Sequence, residues 1–105
     1  MGTLLEIISA EVTATGNYNS IPFKLKGNRQ TIELKTTGMA GTAKLQQSIN
    51  GINFIDVPES EITVADGDLI GWNNDYLVSG LFLRVAITTS STDYVINSLK
   101  YLSDE

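Results

Sequence analysis

Residues 81–88 read LFLRVAIT, and the alternation in that stretch decides the fold. Leu81, Leu83, Val85 and Ile87 fall on one side of an extended chain, and Phe82, Arg84, Ala86 and Thr88 on the other. Successive side chains of a strand point to opposite faces. The pattern is therefore that of a strand with one face in a core and the other toward water or a partner. The same period recurs upstream. In IPFKLK (21–26), Ile21, Phe23 and Leu25 oppose Lys24 and Lys26, and in TIELKT (31–36), Ile32 and Leu34 oppose Glu33 and Lys35. The N-terminal LLEIISAEVTA (4–14) is less regular and is expected to place Leu4, Ile8, Ala10 and Val12 on one face. YVINSLKYL (94–102) reads as the last strand, with a short helical turn around Leu99 and Leu102 as the alternative. No stretch sustains a helical period.

Turn residues punctuate these strands: Gly16-Asn17, Gly27-Asn28, Gly38 with Gly41, Asn50-Gly51, Asp66-Gly67-Asp68, Asn73-Asn74-Asp75 and Ser79-Gly80. Short strands at this spacing, rich in Thr, Val and Ile, predict an all-β protein. The expected fold is an immunoglobulin-like or jelly-roll β-sandwich of seven to eight mainly antiparallel strands. A chain of 105 residues suits a single domain, 1–105, with one core.

Composition narrows the chemistry. The chain is 42% hydrophobic and 18% charged, as expected of an ordered globular protein. It has no cysteine, which removes disulfides and thiolate metal sites. It also has no histidine, and with it go the commonest general base and the commonest metal ligand. A non-enzymatic protein without cofactor or metal is expected. The net charge of −5 is uneven, with residues 1–50 at +2 and residues 51–105 at −7. No Lys/Arg cluster gives the footprint of a nucleic-acid binder. The N-terminal MGTLLEIISAE lacks a basic region before its apolar residues, and LFLRVAI is too short to span a bilayer, so a soluble protein with no membrane partner is expected.

The stretch KLQQSINGINFIDVP (44–58) contains Asn50-Gly51, a strong hairpin signal. Parity alone leaves two registers. An odd loop places Asn53, Ile55 and Val57 on the face of Leu45 and Gln47, and an even loop places Ile52, Phe54 and Asp56 there. The odd loop is preferred because it carries its apolar pair away from the turn, and it leaves Phe54 on the opposite face, toward a partner. Asn50 and Gly51 then act as turn residues that tolerate positive φ. Four other positions are candidates for partner binding. Trp72 and Tyr76 lie in IGWNNDYLVSG (70–80), and either anchor an interface or, for Trp72, cap the core. Arg84 is expected to pair with a carboxylate across the sheet or to reach a neighbouring subunit, and Phe82 shares its outward face. Asp66-Gly67-Asp68 has too few carboxylates to complete a calcium site and reads as a turn.

Beyond the residues themselves, TAKLQQSINGINFIDVP (42–58), EITVADGD (61–68) and GLFLRVAITTSSTDYV (80–95) resemble a pattern of small β-sandwich proteins in tailed-phage virions. There a strand ends in Ser-x-Asp-Gly and continues through an aromatic, and a later strand carries Leu-Arg-Val. The matching positions are Ser48, Asn50, Gly51, Phe54, Leu83, Arg84 and Val85, with Asn50 replacing the usual Asp and removing a carboxylate from the turn. The resemblance implies an auxiliary capsid (decoration) or head-fibre protein. It would bind the major capsid protein lattice on the head exterior, after synthesis in the host cytoplasm. Its own assembly would be a homo-oligomer or one imposed by the lattice. The alternatives are a tail or baseplate component, or a carbohydrate-binding or adhesion module with Trp72 and Tyr76 as an exposed stacking platform.

Overall fold

The computed structural model describes residues 2–27, 29–66, 69–74 and 80–104. They form strands β1 (Gly2–Ile8), β2 (Val12–Ala14), β3 (Tyr18–Asn19), β4 (Phe23–Lys24), β5 (Arg29–Thr37) and β6 (Gly41–Ser48). These are followed by β7 (Ile55–Asp56), β8 (Ile62–Val64), β9 (Leu69–Asn74), β10 (Phe82–Thr89) and β11 (Tyr94–Asp104). The strands build two sheets, and every pairing between them is antiparallel. The first sheet runs β1-β11-β5-β9, with β2 also on β11. In the second, β6 and β10 form the centre; β3 and β4 share the far side of β10, and β7 and β8 share the far side of β6. Several of the eleven segments are only two or three residues long, which is why alternation in sequence suggests fewer strands. The last segment is a strand rather than a helical turn.

The inner faces meet in one core. Ile32, Leu34, Ile70, Trp72, Ile96, Leu99 and Tyr101 come from the first sheet, Phe23, Ala43, Leu45, Val64, Leu83, Val85 and Ile87 from the second, and Leu25 from the residue just after β4. Each such fully buried aliphatic side chain contributes roughly 1.5–3 kcal/mol relative to exposure. The alternation in LFLRVAIT is realised: Leu83, Val85 and Ile87 are buried, and Arg84 and Thr88 face outward. Ala86 also faces outward but is buried, because its neighbours close over so small a side chain.

Two places break the expected period. A register shift between Glu6 and Ile8 puts Leu4 opposite Leu102, both exposed, while Ile8 pairs with Leu99 and is buried. Leu4 and Ile8 therefore lie on opposite faces, which corrects the single face expected of this strand. A second shift between Ile96 and Ser98 lets Ile96 and Leu99, of opposite parity, both face the core. A bulge adds one residue to one strand and so reverses its alternation.

The sheets are tied together by a polar link as well as by apolar contact. Ser60 donates its hydroxyl to the Val57 carbonyl at 2.7 Å and accepts the Leu45 N–H at 3.0 Å, which fixes the β7–β8 connection to β6. Its own carbonyl accepts the Trp72 indole N–H from the opposing sheet at 2.6 Å. Tyr101 makes a similar bond, accepting the Lys26 N–H at 2.7 Å. These bonds satisfy buried polar groups that would otherwise carry a desolvation cost.

Candidate functional site

The outer face of the second sheet collects the most chemistry. In register, Phe82, Arg84 and Ala86 of β10 stand opposite Ser48, Gln46 and Lys44 of β6. Gln46 in turn stands opposite Asp56 of β7, and Phe82 opposite Lys24 of β4. Strand pleating sends all of these side chains outward together. Arg84 donates through Nε to Gln46 Oε1 at 2.8 Å, and its guanidinium carbon lies 4.1 Å from the centre of the Phe54 ring. Gln46 passes the network on by donating Nε2 to Asp56 Oδ1 at 2.9 Å. Lys44 Nζ donates to Asp56 Oδ2 at 3.1 Å. The hydrogen bond from Gln46, followed by that from Lys44, holds the Asp56 carboxyl below its ordinary range. Lys24 Nζ lies 5.8 Å from the centre of the Phe82 ring.

The loop between β6 and β7 brings Phe54 to this face. Gln47 stands opposite Ile55, so residues 48–54 intervene, an odd number. The odd register expected from sequence is the one observed, with Val57 buried beside Leu45 and Phe54 on the outer side, but Ile55, the other apolar residue of the pair, stays exposed next to the turn. Within this loop only Gly51 takes positive φ, at 77°. Asn50 shapes the loop with its side chain instead, which corrects the role expected of its backbone. Its Oδ1 accepts the Ile52 and Asn53 N–H groups at 2.9 and 3.1 Å. Ser48 Oγ accepts the Gly51 N–H at 2.9 Å and donates to Asn50 Oδ1 at 3.0 Å. An amide oxygen does here what a carboxylate does in an Asx turn, without the charge. A Cβ on Gly51 would lie 3.5 Å from the Phe82 ring, so this turn packs directly on the candidate face.

Phe54, Phe82 and Arg84 are thus brought together. Trp72 is not among them. It is only 7% exposed, on the inner face of β9, with its N–H given to Ser60. Of the two readings of Trp72, the core one holds, and its role in partner binding or as an exposed stacking platform is corrected: its large apolar surface belongs to the core. Tyr76 lies outside the described residues, as do Gly67 and Asp68. Arg84 meets the amide of Gln46 where a cross-strand carboxylate was expected, because the nearest acid, Asp56, lies one strand further on.

Sequence reasoning missed Gln46, Asp56 and Lys44 as members of the site, and placed Lys24 on an outward strand face without linking it to Phe82. The signal that could have found the first is the alternation Ala43, Leu45 against Lys44, Gln46, which puts Gln46 outward. A hollow lies beside the same hairpin. Its volume is about 380 Å3, and it is lined by Gln47, Ser48, Ile49, Asn50, Asn53, Ile55 and Leu81. Ile49, Ile52 and Ile55 are 88%, 78% and 66% exposed around the loop.

No protein-family model matches the chain, and no curated protein matches it. Solved structures do. TmCBM61, solved in complex with β-1,4-galactotriose, aligns over 99% of this chain and 88% of its own, with a TM-score of 0.54 and 14% identity. The SPBc2 prophage-derived protein YomS aligns over 97% of this chain and 91% of its own, with a TM-score of 0.54 and 16% identity. What these similarities show is the fold: an all-β sandwich of two antiparallel sheets, shared along nearly the whole chain.

Proposed function

We propose that this chain is a non-catalytic carbohydrate-binding or adhesion module whose ligand surface is the outer face of the second sheet. The observation that carries this reading is the Arg84 guanidinium, laid on the Phe54 ring and fixed by Gln46 in a network that continues to Asp56 and Lys44. A sugar presents hydroxyls that both donate and accept, together with an apolar ring face. Gln46 and Asp56 supply the matching polar groups, and the half-buried Phe54 and Phe82 supply aromatic surface. The likeness in fold to a protein that holds β-1,4-galactotriose supports the reading, as does the lack of any histidine or cysteine for catalysis.

Glycan-array screening followed by calorimetry of the hits tests it. The protein is expected to bind a subset of glycans, and Phe54→Ala to weaken that binding by about tenfold or more. Binding to no glycan, or equal binding by Phe54→Ala, would overturn it.

The exposed isoleucines favour a second reading. Ile49, Ile52 and Ile55 form an apolar cluster at one end of the sandwich, of the kind that marks a protein contact. On this reading the chain is an auxiliary capsid protein on the exterior of a phage head, or a tail or baseplate component. It would be made in the host cytoplasm and would grip the major capsid protein with this hairpin. The likeness to a prophage-derived protein supports it. Co-sedimentation with assembled capsids, abolished by Ile52→Asp, would support this second role; protein left wholly in the supernatant would count against it.

A further inference from the structure

Resting on the carbohydrate reading, we infer that the Lys24–Arg84 end of this face selects acidic sugars, gripping a carboxylate or sulfate on the ring. The protein as a whole carries −5, yet three of its seven Lys and Arg residues, Lys24, Lys44 and Arg84, stand on this one face. Lys44 is neutralised by Asp56 at 3.1 Å. Among the described residues, Lys24 and Arg84 have no ion-pair partner. Each lies against an aromatic ring instead, Lys24 near Phe82 and Arg84 over Phe54.

A ring face attracts a cation without accepting its hydrogen bonds along the N–H directions, so the charge is held in place but not neutralised. Gln46 takes only the Nε–H of Arg84, which leaves the two terminal nitrogens of the guanidinium, a planar fork that matches carboxylate and sulfate oxygens. Lys24 stands opposite Phe82, and Arg84 is two residues along the same face, so the two cations are diagonal neighbours with anchors about 7–8 Å apart. The acids lie toward Lys44, where Asp56, Glu59 and Glu61 line one hollow with it. This asymmetry orients the ligand, with its anionic group at Arg84 and Lys24 and its hydroxyls toward Gln46 and Asp56.

Affinity of the full chain for four probes tests this: polygalacturonate, dextran sulfate, neutral galactan and polyglutamate. At least one acidic glycan is expected to bind tenfold or more tightly than galactan, with polyglutamate not binding. Preference for polygalacturonate identifies a carboxylate, and preference for dextran sulfate a sulfate. Arg84→Gln should weaken acidic binding by about 10- to 100-fold. Arg84→Lys should not restore it, because the fork is lost while the charge remains. It also serves as the second variant should Arg84→Gln fail to fold. Galactan bound as tightly as the acidic glycans would overturn the selectivity and leave the carbohydrate reading intact. Failure to bind any glycan would overturn both. Equal binding of polyglutamate, or full affinity in Arg84→Lys, would overturn the selectivity for acidic sugars.

Discussion

Trp72→Ala is expected to cost about 3–5 kcal/mol, enough to leave the protein partly or wholly unfolded at 37 °C. Two losses combine. The indole fills the inner face of β9 opposite Ile32, and its removal leaves a cavity between the sheets that the surrounding strands can close only partly. The 2.6 Å bond from its N–H to Ser60 also disappears, releasing a contact between the first sheet and the β7–β8 connection of the second. Trp72→Phe separates the two losses. It keeps much of the volume and should cost about 1–3 kcal/mol, mostly for the unpaired Ser60 carbonyl. Urea denaturation reads both as shifts in midpoint at constant slope. A Trp72→Ala protein within 1 kcal/mol of wild type would mean that the ring lies outside the core.

Gly41→Ala should also be damaging, although it adds only one methyl group. Gly41 opens β6, where its backbone pairs with Thr89 on one side and Val64 on the other. Its φ is not positive, so the constraint is space rather than conformation. A Cβ there would sit 2.4 Å from the Thr88 carbonyl oxygen and 2.8 Å from the Thr89 Cβ. Neither atom is the far end of a flexible side chain, so the end of β6 must move away from β10. The expected cost is about 1–3 kcal/mol, with faster amide hydrogen exchange at the Gly41 end of the β6–β10 pair. By contrast, Gly38→Ala meets no atom within 4 Å and pays only for its positive φ of 76°, about 1–2 kcal/mol. Equal exchange rates at that end in the Gly41→Ala and wild-type proteins would contradict the close approach.

The sandwich was legible because its central strands alternate cleanly. Ile32 and Leu34 against Glu33 and Lys35, or Leu83 and Val85 against Arg84, leave one choice of buried face. The bulges near Ile7 and Asn97 were not legible, since an inserted residue leaves no local mark and only the partner strand shows that the parity has changed. Trp72 was ambiguous among its asparagines, although Ile70 and Trp72 share a parity and both face inward. The site was half legible. Phe82 and Arg84 could be placed outward from β10 alone. Their gathering with Gln46, Asp56, Lys24 and Phe54 depends on strand pairings across up to 58 residues, such as Lys24 with Phe82. No local pattern specifies such pairings.

The central claim is that ligand is held on the outer face of the second sheet. The most direct measurement is a two-dimensional 1H–15N NMR titration of the full chain with the tightest-binding glycan from the array. The account expects the largest shifts at Lys24, Gln46, Phe54, Asp56, Phe82 and Arg84, with Thr31 and Asn73 on the outer face of the first sheet unmoved. Shifts confined to that first sheet, or to the exposed isoleucines around Asn50-Gly51, would contradict it.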